Sequence, residues 1–249
     1  MSELKESNLI TYSGFKVTSA DTDMFARLRL SAAVNFLIQS AINSADSLGF
    51  GYGGIRQQNL FWVLSRMTLE LYRPLKWYEK AEVETWPKNV ERILYLRDFV
   101  LRDEKREITG RATSGWLAVD LGTKKLSKID GIHAEYFVHL KNRHAIAEPP
   151  AKLFPVNDGE STDIQSGYYD IDVNGHVTTT RYVDWMMETF PLEFHRNNYP
   201  VKLSLNMMKE TMPGEKVRLT KNREGDSRYL FEGRKPDTGV NTFRASIDF

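Results

Sequence analysis

Apolar residues at Leu30, Ala33, Val34, Leu37, Ile38, Ala41, Ile42, Ala45 and Leu48 recur at spacings of three and one, the stripe of a helix that buries one face. This helix is expected to end near "GFGYGG", residues 49–54, a flexible loop in which glycine tolerates the positive backbone angles of a helix exit. A shorter, rougher stripe at Tyr182, Val183, Met186, Met187 and Phe190 predicts a second helix, stopped by Pro191. Strand patterning follows the first helix, over Phe61 to Tyr72, Lys80 to Thr85, Ile93 to Arg102 and Gly110 to Asp120, with "RDEKRE" as a charged hairpin turn. Residues 141–162 hold three prolines and little periodicity, and read as a linker.

The chain also resembles itself. "DTDMFARL", from Asp21, lies over "DIDVNGHV", from Asp170, so that Asp23 falls on Asp172. "LELYRPLKWYEKAEV", from Leu69, lies over "LNMMKETMPGEKVRL", from Leu205, and "RATSGW", from Arg111, over the terminal "RASIDF". Three anchors in one order predict a duplicated unit of one helix followed by antiparallel strands. Such a unit buries its helical stripe only if the sheet wraps around it, and two units can join sheet edge to edge and remove two exposed edges. The expected fold is therefore α+β, a tandem hot-dog in which each unit is a long helix wrapped by an antiparallel sheet. Its units span 1–140 and 163–249, with 141–162 between them.

With 249 residues, 41% of them apolar and 27% charged, the chain can bury one large core or two modest ones. A formal charge of +1 gives no global field for nucleic acid or an anionic membrane. No stretch approaches the roughly 18 consecutive apolar residues of a bilayer span, and "MSELKESNLI" is no leader peptide, so a cytoplasmic protein without membrane insertion is expected. A tandem repeat supplies the pairing that single units obtain by dimerising, which leaves monomer and homodimer both open.

The absence of cysteine excludes a thiolate metal site and a cysteine nucleophile. No G-x-S-x-G, phosphate loop or H-E-x-x-H occurs. His133, His139 and His144 are close in sequence but share no helical face, and no cofactor or metal is expected. What remains is Asp172, Asn174 and His176, just before the second helix. Asp and Asn commonly cap helix N-termini. However, the first copy keeps Asp23 and has Phe25 and Arg27 in the other two places, so the second copy carries something beyond a cap. A helix N-terminus also stabilises a developing oxyanion.

"DIDVNGHVTTTRYVDWMMETFPLE" resembles the D-x-D-V-N-x-H-V-x-N-x-x-Y block of the fatty acyl-acyl-carrier-protein (acyl-ACP) thioesterases of plant plastids and bacteria. "NLFWVLSRM", "ETWP", "LRDFVLRD", "GRATSGWLAVDLGTKKLSKI" and "LNMMKETMPGE" resemble further family blocks in family order, so the resemblance covers nearly the whole chain. It implies a tandem hot-dog thiolester hydrolase of fatty acid biosynthesis, with the acyl chain in the N-terminal unit and catalysis in the C-terminal one. The family's Asp, Asn, His and catalytic Glu fall on Asp172, Asn174, His176 and Glu210. Thr211 stands where the family often has Cys, so a thiol is not required.

The expected reaction is direct attack by water. Glu210, or the Glu210–His176 pair, acts as base, with the pKa brought near working pH by partial burial. Asn174 and helix N-terminal amides hold the carbonyl, and Asp172 orients the array. Trp62, Leu64, Met67, Leu37 and Ile38 are candidates to face the acyl chain, and equally suit a core. Acyl carrier protein is acidic, which makes Lys202, Lys209, Lys216, Arg218 and Lys221 candidate docking residues. A hot-dog acyl-coenzyme A thioesterase and a non-catalytic acyl-binding module remain open alternatives.

Overall fold

The stripe beginning at Leu30 forms helix α1, Leu30–Ser47, in a computed structural model that describes residues 6–129 and 135–249. His133 of the histidine cluster lies outside the described residues. Helix α1 exits through Gly49, at φ +82°, and the glycine-rich segment is more than a loop, because helix α2, Tyr52–Arg56, starts inside it. The rougher stripe forms α3, Thr179–Glu188, so the second unit's helix is markedly shorter than α1. Pro191 then caps α4, Leu192–Asn197.

The strands are β1 Thr11–Lys16, β2 Leu60–Leu71, β3 Lys80–Glu91, β4 Leu94–Asp103, β5 Ile108–Asp120, β6 Leu126–Ser127, β7 Glu160–Gln165, β8 Lys202–Met207, β9 Lys216–Glu224, β10 Arg228–Arg234 and β11 Asn241–Asp248. They form one antiparallel sheet in the order β1-β3-β4-β5-β2-β8-β11-β10-β9-β7, with β6 added to β5. The order is a palindrome under the alignment of the two halves. At its centre Thr68 pairs with Ser204, the residue the Leu69–Leu205 alignment makes its counterpart. A position facing its own equivalent marks a local two-fold join, here between β2 and β8. The fold is a double hot-dog.

The hydrophobic core crosses that join. Val34, Leu37, Met67 and Phe99 of the first half pack in one cluster with Tyr182, Met186, Leu205 and Phe243 of the second. A second cluster gathers Phe50, Leu60, Tyr95 and Phe137. In β2 a bulge between Leu64 and Arg66 shifts the alternation by one residue, so Trp62 and Leu64 before it and Met67 and Leu69 after it all face inward.

The proline-bearing segment is strapped across the outer face of the sheet. Lys88 Nζ donates to the Ile146 carbonyl at 2.5 Å, Asp98 accepts the Ala145 N–H at 2.7 Å, and Asn206 bonds both the Ala151 carbonyl and the Leu153 N–H. Strand side chains thus satisfy backbone groups that no ladder reaches. Residues 160–162, at the end of the expected linker, already belong to β7.

Candidate functional site

Asp172 and His176 close a tight turn in which the Asp172 N–H donates to the His176 carbonyl at 2.9 Å and Ile171 bridges Val177. Asp172 Oδ1 accepts the Asn174 N–H at 2.8 Å, and Asn174 Nδ2 donates to Oδ2 at 3.4 Å. Gly175, at φ +84°, takes the left-handed position that reverses the chain. The expectation of a helix cap is corrected here: Asp172 caps its own turn. The N-cap of α3 is Thr178, which makes no side-chain capping bond, leaving first-turn amides directed out of the helix end.

Two buried residues hold this turn: Asp170, which sequence reasoning did not single out as a site residue, and Thr211, which stood out only for lacking a thiol. Asp170 Oδ2 accepts the Gly167 N–H at 2.7 Å, Oδ1 accepts Arg181 Nε at 2.6 Å, and its carbonyl accepts the Thr178 N–H at 2.9 Å. The available signal was an aspartate at the same place in both copies. Thr211, fully buried, accepts the Val177 N–H on its carbonyl at 2.9 Å. That bond joins the residue after His176 to the residue after Glu210. It brings the catalytic candidates of two distant segments to one place.

Glu210 is half-exposed and bonds Lys209 Nζ at 3.0 Å. Burial pushes its carboxyl up, but its own backbone N–H, the Lys209 ammonium and the charge of His176 together hold it below the ordinary carboxylate value. The upward shift expected from burial is therefore reversed, and Glu210 is ionised at neutral pH. Tyr182 is fully buried beside Thr211, and burial pushes its hydroxyl up to about 12.

The first copy repeats the turn bond for bond and closes it. The Asp23 N–H donates to Arg27, the Phe25 N–H to Asp23 Oδ1, and the Leu28 N–H to Leu75. Ala26, at φ +58°, stands for Gly175, and Pro74 takes the place of Glu210. Arg27 lies across the turn, its Nε on Asp23 Oδ2 at 2.9 Å and its Nη2 on the His195 carbonyl of α4 at 2.6 Å. In the second copy the tip is open, with Val173 99% exposed and Asn174 exposed. Beside it lies a cleft of about 580 Å³ lined by Tyr168, Tyr169, Ile171, Pro213 and Gly214, among others.

Of the acyl-chain candidates, Leu37, Leu64 and Met67 are buried in the main cluster and Ile38 packs partly buried against it. Trp62 belongs with the second cluster, its Nε1 bonded to the Phe50 carbonyl at 2.8 Å. Trp116 touches both clusters and marks the seam between them, and the five candidates divide between the two sides. Four of the five basic docking candidates are engaged within the chain: Lys202 with Glu70, Lys209 with Glu210, Arg218 with Asp163 and Lys221 with Glu160.

Residues 8–136 match the family described as acyl-ACP thioesterase N-terminal domain, and residues 155–249 that described as acyl-ACP thioesterase C-terminal domain. The oleoyl-acyl carrier protein thioesterase 1, chloroplastic, of Arabidopsis thaliana is 30% identical over 210 residues, covering 78% of this chain and 58% of that protein. The palmitoyl-acyl carrier protein thioesterase, chloroplastic, of Gossypium hirsutum is 28% identical, covering 84% of this chain and 54% of that protein. The chain thus spans little more than half the length of these relatives. The crystal structure of an acyl-ACP thioesterase from Bacteroides thetaiotaomicron superposes with a TM-score of 0.90 at 27% identity, covering 99% of this chain and 100% of that one. The 12:0-ACP thioesterase from Umbellularia californica shares the fold, with a TM-score of 0.82 at 23% identity over 96% of this chain and 93% of that one.

Proposed function

This chain belongs to the acyl-ACP thioesterase family, and from that premise we propose that it hydrolyses fatty acyl-ACP thioesters to free fatty acid and holo-carrier protein. The observation that supports this reading is the Val177–Thr211 bond, which joins the segments that carry His176 and Glu210 at the open copy of a duplicated turn. In our reading residues 163–249 perform catalysis, residues 1–140 house the acyl chain along the seam flanked by Leu37, Ile38, Trp62, Leu64 and Met67, and 141–162 join them.

Water attacks the thioester carbon while the Glu210–His176 pair takes its proton. The carbonyl becomes an oxyanion, held by the second N–H of the Asn174 amide, the one not used on Asp172, and by first-turn amides of α3. The oxyanion then collapses, the carbon–sulfur bond breaks, and the pantetheine thiolate leaves with the proton the pair had taken. Asp172 fixes Asn174 by holding its backbone N–H. A thiol has no part in these steps, in keeping with Thr211 and a chain without cysteine.

Thiol release from acyl-ACP of several chain lengths, set against acyl-coenzyme A of the same chains, tests the reading. Turnover of the carrier-protein substrates at higher kcat/KM supports it. Preference for the coenzyme A esters, or no turnover of any, overturns it.

The base can be assigned from the pH profile. Lys209→Ala removes a hydrogen bond and a charge that hold Glu210 down, so the Glu210 pKa rises. If Glu210 is the proton acceptor, the acid limb of kcat/KM moves to higher pH in the variant. A limb that stays in place assigns the proton to His176.

A further inference from the structure

Arg97, on β4, reaches into the space between the sheet and α1. Its Nη1 donates to Ser44 Oγ of α1 at 2.9 Å and to Thr85 Oγ1 of β3 at 3.3 Å. The residue is 3% exposed, and its buried Nη2 has no hydrogen-bond partner. Burial alone pushes its pKa down, to about 9, so the guanidinium is charged at neutral pH, and among the described residues no carboxylate pairs with it. Asp98, the next residue, points to the opposite face, where it meets Lys88 Nζ at 3.2 Å. A buried charge is normally paired, and Arg97 has two hydroxyl partners on Nη1 but none on Nη2 and, among the described residues, no carboxylate beside it.

The surroundings define what would satisfy it. Ser44 Oγ accepts from Thr11 Oγ1 as well as from Arg97, so what it has left to offer is its own proton. Thr85 Oγ1 donates to the Asp98 carbonyl at 2.9 Å. The spot therefore presents unused donors and a positive charge. Its same-face neighbours on β4, Tyr95 and Phe99, belong to different hydrophobic clusters, so Arg97 sits at the seam between them. A donor-rich cation inside apolar walls is complementary to one chemical class, a carboxylate on a hydrocarbon chain.

We propose that the N-terminal unit binds an aliphatic carboxylate at Arg97, with the hydrocarbon chain lying along the seam between the two clusters. The carboxylate comes from a free fatty acid or from the far end of a dicarboxylic acyl chain. The inference does not rest on hydrolysis at Glu210, because binding is read without turnover.

Calorimetric titration of the full chain with dodecanoate, monomethyl dodecanedioate and 1-dodecanol tests it. At least one of the two acids is expected to bind ten-fold or more tightly than the alcohol. Dodecanoate as the tighter ligand identifies the free-acid source, and monomethyl dodecanedioate as the tighter identifies the far-end carboxylate. Arg97→Gln is expected to abolish the preference for acid over alcohol, and Glu210→Gln to retain it. In the wild-type chain the Arg97 Nε resonance should shift with acid and not with alcohol, which keeps the test independent of whether Arg97→Gln folds. Equal affinity for acid and alcohol, an unmoved Arg97 resonance, or a preference lost in Glu210→Gln and kept in Arg97→Gln would each overturn the proposal.

Discussion

Glu210→Gln lowers kcat/KM for acyl-ACP hydrolysis by about a thousandfold, within the range that a positioned general base contributes. The carboxamide keeps the shape of the side chain and removes its capacity to hold a proton. Folding should be nearly unaffected, because Glu210 is half-exposed and its Lys209 partner is more than half-exposed, and surface pairs of this kind contribute about 0–1 kcal/mol. Steady-state kinetics and a thermal melt on the same preparation separate the two effects. A loss of less than about ten-fold with an unchanged melt would remove Glu210 from the chemistry.

Asn174→Ala produces the second large effect, a fall in kcat of about 10²–10³-fold with KM little changed. The split follows from when the contact forms. An amide aimed at the oxyanion stabilises the transition state more than the bound thioester, so its loss appears in kcat. The turn itself survives, since Asp172 holds the Asn174 backbone N–H at 2.8 Å and alanine retains that group. A variant with raised KM and normal kcat would make Asn174 a binding residue instead.

The duplication could be read from residues alone because both copies need the same turn: Asp21 and Asp170 anchor it, and Asp23 and Asp172 cap it. Those constraints are local, and local constraints leave their mark on sequence. The bulge between Leu64 and Arg66 left none, and strict alternation would have turned Met67 outward. Ion pairing was hidden for the same reason. Lys202 and Glu70 meet only because β8 lies beside β2, so a row of basic residues that looked free is mostly neutralised.

The candidate site was legible in part. Asp172, Asn174 and His176 announce themselves by differing from Phe25 and Arg27 of the twin. How the twin is closed leaves no local mark on the sequence, because Arg27 reaches α4 at His195 across the join between the halves. The direction of the Glu210 shift was also inaccessible, since it depends on how nearby Lys209 and His176 come to lie around a half-buried carboxyl. In the sequence Thr211 stands out only for lacking a thiol. Its larger part, accepting the Val177 N–H and so joining the two segments of the site, is a tertiary bond with no sequence signature.

A single turnover in ¹⁸O-water, with enzyme in excess over acyl-ACP, tests the central claim that water attacks the thioester directly from the Glu210–His176 site. The account predicts one ¹⁸O in the released fatty acid and none in the peptide that contains Glu210. Unlabelled acid together with ¹⁸O in that peptide would show that the Glu210 carboxylate itself attacked the thioester and was later hydrolysed, which would contradict the account.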